Sequence, residues 1–216
     1  MQERTVTDMA NEMKIKALFL DIGGVLLTNG WDRNMRKKAA EYFKLDYDEL
    51  DERHHMTFDT YEEGKLSMDE YLNLVVFHRE RSFQMSDFKK FLFEQTQPLP
   101  DMIKMFKSIA KNNPLKIGAI SNEGRELTAY RVNYFGLTEF VQFFICSCYV
   151  HYRKPDKDIY LIALDVGQVQ AEQSLYIDDR ELHVEVAESL GMNVLHHRTI
   201  EATRKELDTY GFRGIE

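Results

Sequence analysis

The sequence has few cysteines, no excess of basic residues and no long apolar segment, and each absence excludes a class of protein. Only two of its 216 residues are cysteine, too few for a disulfide framework, so we expect a reduced, cytoplasmic protein. The formal net charge is −8, which leaves no positive field to hold nucleic acid. No apolar run approaches the roughly 20 residues that span a bilayer, and no secretory signal pattern is present, so we expect no membrane association.

What the sequence does contain is enough apolar material for a sizeable core. Hydrophobic residues make up 44% of the chain and aromatic residues 12%, which predicts one domain, or one domain that carries an insertion. Residues 1–13 are polar and unpatterned, and we expect them to form a flexible leader. A monomer or a weak homodimer is the expected oligomeric state.

Short apolar segments alternate with amphipathic ones along most of the chain. Buried strands are predicted at residues 14–20, 115–120, 141–146, 173–177 and 193–196. Helices are predicted at residues 100–112, 124–135, 157–166, 181–190 and 199–210. This alternation predicts an α/β fold, with a parallel sheet that carries helices on both faces.

One segment, residues 31–97, breaks the alternation. It contains no strand pattern but has four amphipathic helical patterns, for which Ser67 and Ser86 are predicted N-caps. We therefore expect a helical bundle (31–97) inserted into a core formed by residues 14–30 and 98–216. Within the bundle, the pattern at residues 61–66 predicts a helix that ends at Gly64, as an interior connection and not a catalytic motif.

Polar side chains follow the predicted strands at the point where each strand ends. The stretch KALFLDIGGVLLTNG (16–30) delivers Asp21 at the end of an apolar run, and Ser121-Asn122 end the second strand. Lys154 follows the third strand, and Asp178-Asp179 end the fourth. Because ligands bind outside the carboxyl ends of parallel strands, these residues are the candidates for chemistry.

Each of these residues also has an ordinary structural interpretation. Asp21 could begin a turn, because Asp is common before glycine in turns. Ser121 could be the N-cap of the next helix, and Asp178 could belong to a capping box. Together, however, three carboxylates at one edge would repel one another unless a cation neutralised them. Oxygen ligands in this number suit Mg²⁺, and Lys154 and Ser121 would then bind phosphoryl oxygens.

The motifs Asp-x-x-Gly-Val, Ser-Asn, Arg-Lys-Pro-Asp and Ile-Asp-Asp occur in this order, and with them the sequence resembles the haloacid dehalogenase-like hydrolase superfamily. The resemblance covers residues 14–210, and it is closest to the subfamily with a small helical cap between the first two motifs. It implies a Rossmann-like core, Mg²⁺ dependence and a phosphatase reaction through an aspartyl phosphate, acting on a small phosphate ester.

The resemblance also implies roles for individual residues. Asp21 would be the nucleophile, and Lys154 would steady the nucleophile and the phosphate. The metal would be held by Asp21, Asp178, Asp179 and the backbone carbonyl of Gly23. The predicted substrate-binding residues are Gly23, Gly24, Ser121, Asn122, Trp31 and His54. Receiver domains use similar residue types, but their acid pair follows the first strand, whereas here it follows the fourth.

One position departs from the family pattern. Most phosphatases of the superfamily carry a second Asp two residues after the nucleophile, as general acid and base, and here that position is Gly23. General acid–base catalysis contributes about 10²–10⁴ in rate, so the loss weakens a phosphatase without abolishing it. We therefore expect a preference for aryl, acyl or sugar-anomeric phosphates, whose leaving groups are stable anions.

The missing acid also keeps two alternatives open. Haloacid dehalogenases of the superfamily lack the second Asp and use no metal, but they have no need of the Asp178-Asp179 pair. A protein that binds a phosphorylated metabolite without turnover is the other alternative. If a residue of the helical insertion supplies the proton instead, His54 and His55 are the candidates, and a solvated helix face is their ordinary interpretation.

Three further features have weaker interpretations. Trp31 is predicted to pack at the hinge or to line the substrate pocket, and Arg33 faces either a substrate anion or solvent. Cys146 and Cys148 are spaced as buried residues of a strand end, and not as the zinc ligands of a structural site.

Overall fold

A five-stranded parallel sheet forms the centre of the protein, for which a computed structural model describes residues 15–215. Its strands are β1 (Ala17–Leu20), β2 (Lys116–Ser121), β3 (Phe143–Cys146), β4 (Ser174–Asp178) and β5 (Asn193–His196). All neighbouring strands pair in parallel, in the order β3-β2-β1-β4-β5. The predicted α/β fold is therefore confirmed, while the predicted leader (1–13) lies outside the described residues.

Ten helices accompany this sheet in the described part of the chain. Four follow β1, namely α1 (Arg33–Phe43), α2 (Tyr47–Glu62), α3 (Met68–Val75) and α4 (Met85–Glu94). The other six are α5 (Pro100–Asn112), α6 (Arg125–Tyr134), α7 (Ser147–Val150), α8 (Lys157–Gly167), α9 (Glu181–Ser189) and α10 (Ile200–Thr209). Each predicted core helix agrees with an observed one to within a residue or so.

Strand β1 is buried on both faces, which explains its uninterrupted apolar sequence. Ala17 and Phe19 belong to a cluster that includes residues of α8 and α9. Leu18 and Leu20, which point to the opposite face, belong to a cluster that includes residues of α5 and α10. The sheet is thus covered by helices on both sides, as predicted.

The four helices α1–α4 pack around a separate aromatic centre. Phe88 is completely buried, with the rings of Trp31, Phe43, Phe77 and Phe83 around it. At the start of α3, the backbone N–H of Glu70 donates to Ser67 Oγ (3.2 Å), and the Glu70 carboxylate accepts from the Ser67 N–H (2.8 Å). This capping box confirms Ser67 as an N-cap.

The same prediction for Ser86 is wrong. Helix α4 begins at Met85, so Ser86 lies within its first turn. The Asp87 carboxylate accepts a hydrogen bond from the backbone N–H of Gln84 (3.1 Å), and this contact fixes the start of the helix two residues before Ser86.

The strand order decides where a ligand site forms. The chain places β2 and β3 on one side of β1 and then crosses to place β4 and β5 on the other. The order therefore reverses at β1, and the crevice at its carboxyl end is the expected binding position. Across residues 15–215, no helix has both the length and the apolar character that crossing a membrane requires.

Candidate active site

The carboxyl end of β1 brings together three acidic side chains that are far apart in sequence. Asp21 follows β1, Asp178 ends β4, and Asp179 comes next; one oxygen from each lies within 4.8 Å of the others. Asp21 and Asp178 are buried. The strand register brings the three carboxylates together, because β1 pairs directly with β4 and the Asp21 N–H donates to the Ile177 carbonyl oxygen (2.9 Å).

Lys154 lies beneath this cluster and is almost fully buried. Its Nζ is 3.0 Å from Asp21 Oδ1, 2.6 Å from Asp178 Oδ2 and 3.0 Å from the carbonyl oxygen of Ile120. Nζ donates hydrogen bonds to Asp178 and Ile120 and forms an ion pair with Asp21. Lys154 therefore orients Asp21 directly.

Burial and these contacts shift the pKa values of the cluster in different directions. Burial raises the pKa of Asp21 to about 7, with the Asp178 and Asp179 charges adding to it and Lys154 opposing it. Burial would also raise the pKa of Asp178, but Lys154 and His183 hold it well below the usual range. Burial alone would lower the pKa of Lys154, and the two carboxylates hold it above its ordinary value. The negative charge is thus fixed on Asp178, whereas Asp21 needs a further cation to stay ionised at neutral pH.

Asp178 and Asp179 differ in how their oxygens are used. Asp178 Oδ2 accepts from Lys154 Nζ, from the Tyr176 hydroxyl and from His183 Nδ1, and Oδ1 accepts from the Arg180 N–H. Asp179 Oδ1 is buried and has no hydrogen-bond partner among the described residues. A buried carboxylate oxygen without a partner is costly, and a bound cation would satisfy it.

The two glycines after Asp21 have different reasons for lacking a side chain. A Cβ at Gly24 would lie 2.3 Å from the Asp179 carboxylate, and Gly24 has φ +84°, a left-handed backbone. Gly24 is thus required for Asp179 to close on the cluster. Gly23 carries no such backbone demand, and the nearest atom to its Cβ position is the side-chain Oδ1 of Asn29, at 2.9 Å.

These features fit a small divalent cation. The candidate ligands are all oxygen atoms, one of them is buried without a partner, and glycine leaves room for the carboxylate that carries it. Oxygen ligands of this kind suit Mg²⁺, which binds through one or two carboxylates and retains water or substrate oxygens.

The two predicted phosphoryl-binding residues at the end of β2 have different roles. Ser121 is buried at the end of β2, lines the cleft, and its hydroxyl has no partner among the described residues. The Asn122 side chain instead bonds the Lys154 backbone twice, donating to the carbonyl oxygen and accepting from the N–H, each at 2.7 Å. The Asn122 amide therefore holds the lysine loop in place.

A cleft of about 650 Å³ lies above the cluster, between the sheet edge and the helices α1 and α2. Asp21, Gly23, Ser121, Asn122 and Lys154 line one side of it. A volume of this order suits a small molecule.

Trp31 and His54 line the other side of this cleft and are joined through Tyr71. Trp31 Nε1 donates to the Tyr71 hydroxyl (2.8 Å), which lies 2.7 Å from His54 Nδ1. Because the hydroxyl accepts from Trp31, we assign its proton to the bond with Nδ1, which leaves the imidazole proton on Nε2. The network ties both residues to the aromatic centre of the helices.

His54 is buried, and its partners keep it neutral. Burial, with Arg36 adding to it, lowers the pKa of His54 to about 3. At neutral pH it has no imidazolium proton to give, which argues against the proton-donor hypothesis for this residue. The alternative of a solvated helix face is wrong for His54, whereas His55 is 61% exposed in its side chain.

The segment predicted as an interior connection, residues 61–66, in fact contacts the core. Tyr61 packs on Gly124, where a Cβ would overlap its ring, and Gly64 (φ +70°) lies against the Cys148 carbonyl. Ser147 Oγ donates to the Glu62 carbonyl oxygen (2.7 Å). Tyr61 and Glu62 also line the cleft, so this part of the prediction is corrected. Sequence periodicity predicts only the end of the helix, because the residues that contact this segment lie more than 60 positions away.

Arg153 also joins helix α2 to the core, through Glu62 and Asp59. Its guanidinium binds Glu62 Oε2 (3.1 Å from Nε and 2.6 Å from Nη2) and Asp59 Oδ1 (2.5 Å). It also lies over the Phe58 ring, 4.7 Å from the centroid. Arg153 stands in the Arg-Lys-Pro-Asp motif directly before Lys154, and this position is the one sequence signal that could have identified it.

A second buried ion pair lines the cleft and was missed from the sequence. Arg131 of α6 pairs with Glu123, and both are buried. Glu123 directly follows Ser121-Asn122, which could have marked it. Nothing local marks Arg131, because it lies two turns into a helix.

Comparison with known proteins places this geometry in a family. The family described as haloacid dehalogenase-like hydrolase matches residues 34–196. Flavin mononucleotide hydrolase 1 of Arabidopsis thaliana, described as chloroplastic, is 22% identical over 211 residues, covering 94% of this chain and 81% of that protein.

Solved structures share the fold. An enzyme of the same family from Bacteroides thetaiotaomicron, in complex with magnesium and inorganic phosphate, has a TM-score of 0.72 at 16% identity and covers 85% of this chain and 94% of its own. A 2-haloacid dehalogenase from Pseudomonas syringae has a TM-score of 0.59 at 19% identity, covering 83% and 85%.

Proposed function

The chain belongs to the haloacid dehalogenase-like hydrolase family, and on that premise we propose that it is a Mg²⁺-dependent phosphatase of a small phosphate ester. The observation that carries the proposal is the acidic cluster of Asp21, Asp178 and Asp179, with its unpartnered buried oxygen. A metal-free dehalogenase has no need of such a cluster. A protein that only binds phosphate needs donors more than a carboxylate at this position.

We propose that Asp21, Asp179, Asp178 and the Gly23 carbonyl hold the metal. Mg²⁺ bound there would neutralise charge on the substrate phosphate and favour its approach to a carboxylate. Because both Asp178 oxygens already accept hydrogen bonds from protein groups, we expect Asp179 to contribute more to metal affinity.

In the proposed reaction, an oxygen of Asp21 attacks phosphorus. The bond from phosphorus to the ester oxygen breaks, and its electron pair leaves with that oxygen as an alkoxide or phenolate. Water then attacks the aspartyl phosphate, which releases inorganic phosphate and restores the carboxylate. Lys154 holds Asp21 in place for the attack, and positioning with electrostatic stabilisation is most of phosphoryl-transfer catalysis.

The cleft supports a substrate with a flat or cyclic leaving group. Trp31, His54 and Phe58 supply aromatic surface opposite Asp21, and the Arabidopsis relative is named for hydrolysis of flavin mononucleotide. Without an acid at Gly23, we propose a preference for aryl, acyl or sugar-anomeric phosphates. Rates that do not depend on the leaving-group pKa would contradict this preference.

We also propose that the protein acts alone on this small molecule, as a monomer or weak homodimer, in a reduced compartment such as the cytoplasm. The free, buried thiols of Cys146 and Cys148 support the reduced compartment. The net charge of −8 argues against a nucleic-acid partner.

The test is p-nitrophenyl phosphate hydrolysis with millimolar Mg²⁺ and with EDTA, in the unaltered protein and in Asp21→Asn. We expect activity that EDTA and the substitution both abolish, while Asp208→Asn, an exposed carboxylate of α10, leaves it unchanged. Halide release from 2-chloropropionate in EDTA would establish the dehalogenase alternative. Tight binding of phosphate esters without turnover would establish the binding protein.

A further inference from the structure

The space beside Gly23 is occupied by a guanidinium. A Cβ at Gly23 would lie 3.8 Å from both Nη1 and Nη2 of Arg131, and one at Gly30 would lie 3.3 Å from Nη1. Arg131 therefore fits between two residues that have no side chains. Neither glycine has a positive φ, so the backbone does not require glycine at these positions. The missing side chains let the buried guanidinium approach the chain at Gly23 and Gly30, where it lines the cleft.

Arg131 is held in this position by two contacts. Nη1 donates to Glu123 Oε1, and Nη2 donates to the Thr28 carbonyl oxygen (2.6 Å). A guanidinium has five N–H groups, so three remain, one of them on Nε, which is buried and unpartnered among the described residues. Lys154, in contrast, is engaged with Asp178 and Ile120 through hydrogen bonds and with Asp21 through an ion pair.

Stability alone is a weak reason for this pair. A buried ion pair contributes little net stability, because the cost of desolvating two charges offsets their attraction, and well-packed apolar residues often do as well. Arg131 is nevertheless buried as deeply as Lys154 and lines the same cleft. A buried cation with unused donors, lining the same cleft as the proposed nucleophile, is suited to meeting an anion that forms during the reaction.

We infer that Arg131 donates hydrogen bonds to the leaving-group oxygen as its bond to phosphorus breaks. The electron pair of that bond stays on the oxygen, and the alkoxide or phenolate is stabilised by the guanidinium until water protonates it. The hydroxide left by that water can attack the aspartyl phosphate, so the reaction as a whole consumes one water. Arg131 acts in this step only as a hydrogen-bond donor and transfers no proton. This inference rests on the proposed phosphatase function.

The inference predicts how rates depend on the leaving group. Leaving groups of high pKa need the guanidinium most, since they carry the most concentrated negative charge. Phosphates of low-pKa phenols need it least. Loss of Arg131 therefore steepens the dependence of kcat/KM on leaving-group pKa, whereas a merely structural role lowers all rates by one factor.

The experiment compares a series of aryl phosphates, from dinitrophenyl to phenyl, and an alkyl phosphate in the double variant Arg131→Met/Glu123→Gln. Removing both partners avoids an unpaired buried carboxylate. We expect kcat/KM for phenyl phosphate to fall about 100-fold, as when one oxyanion donor is removed, and that for dinitrophenyl phosphate to fall only a few-fold. Arg131→Lys, which keeps the charge and the Glu123 partner, should give an intermediate slope.

The matched control is Arg36→Met/Asp51→Asn. Arg36 is a buried arginine of α1 that likewise binds one carboxylate and one backbone carbonyl, those of Asp51 and Trp31. We expect its removal to leave the slope unchanged. Suppose that the unaltered protein is active and that kcat/KM of the Arg131 variants falls by the same factor for every substrate, or for none. The role of Arg131 is then overturned while the phosphatase proposal stands. An unaltered protein that hydrolyses none of the series overturns both.

Discussion

The two walls of the cleft are built from different kinds of interaction. The sheet wall consists of Asp21 and Lys154, which line the cleft, together with the acidic pair Asp178 and Asp179, which lies beside them at the end of β4. The helical wall consists of Trp31, His54, Phe58 and Tyr61. Trp31 and His54 share a neutral hydrogen-bond network through Tyr71, and the rings of Phe58 and Tyr61 stack on those of His54 and Tyr71.

The difference indicates that the two walls have separate roles. Charges in the sheet wall hold one another at fixed distances, so a single change there affects both folding and chemistry. Aromatic surface in the helical wall provides contact area without fixed charge, and it can change shape with fewer consequences for the reaction. We therefore expect the sheet wall to determine catalysis and the helical wall to determine substrate choice.

The largest expected effect is that of Lys154→Met. Activity should fall about 10³-fold or more, because Asp21 loses its orienting cation. Stability should fall by about 3–5 kcal/mol, because Asp178 stays buried without its main partner. Urea denaturation and p-nitrophenyl phosphate hydrolysis measure the two effects. In Lys154→Met/Asp178→Asn we expect most of the stability to return but not the activity; recovery of both would show that the charges are not catalytic.

The next comparison is between neighbouring glycines of the sheet wall. Gly24→Ala places a methyl group against the Asp179 carboxylate on a left-handed backbone, so we expect a loss of about 1–2 kcal/mol and a higher Mg²⁺ requirement. Gly23→Ala approaches the movable Asn29 side chain and reaches the Arg131 guanidinium only at ordinary van der Waals distance, so it should change stability by less than about 0.5 kcal/mol. Thermal unfolding and Mg²⁺ titration of activity test both, and equal effects would contradict the metal site.

A smaller effect is expected where the two walls meet. Arg153→Met removes the contacts with Glu62 and Asp59 that join α2 to the core. We expect kcat/KM to fall about 10-fold as water enters the cleft, while stability changes by less than about 1 kcal/mol, because this pair is partly exposed. Arg204→Met on α10 is the control. A loss of stability without loss of activity would make Arg153 a structural contact only.

The smallest effect concerns the helical wall alone. The pKa of His54 is lowered to about 3 in the folded protein, against about 6.5 in an unfolded chain. The unfolded state therefore binds more protons between these values, and stability falls as the pH decreases below about 6.5.

Substitution of His54 should reduce this dependence. We expect a slope in His54→Gln that is smaller by up to about 1.4 kcal/mol per pH unit, and no change in the exposed control His55→Gln. Urea midpoints between pH 4 and pH 7 provide the measurement. A slope in His54→Gln equal to that of the unaltered protein would show that His54 is solvated.

The sequence predicted the strands, the core helices and the polar residues at the four strand ends. Each of these depends on the pattern of residues within a short segment. An apolar run such as residues 17–20 forms a buried strand in an α/β protein, and the residue that ends it must lie at the sheet edge. The error at Ser86 is also local, since the helix begins earlier, at a capping box formed by Gln84 and Asp87.

The helical wall could not be predicted in the same way. The sequence offered His54 as a titrating group, but burial against Phe58 and the bond to Tyr71 make it neutral. The segment 61–66 reads as an ordinary helix end, yet its contacts are with Gly124, Ser147 and Cys148 of the core.

By itself, the sequence determined the sheet and its polar edge, because the periodicity of strands and the order of their ends fix which residues converge. Only the tertiary structure decided which of those groups still have free hydrogen-bonding capacity. Lys154 and the Asn122 amide are bound to other protein groups, whereas Asp179 Oδ1 and Arg131 Nε have no partner among residues 15–215. The physical reason is that a donor or acceptor bonds to the group that the fold places next to it. Because that group lies far away in the sequence, the pairing cannot be predicted from local pattern.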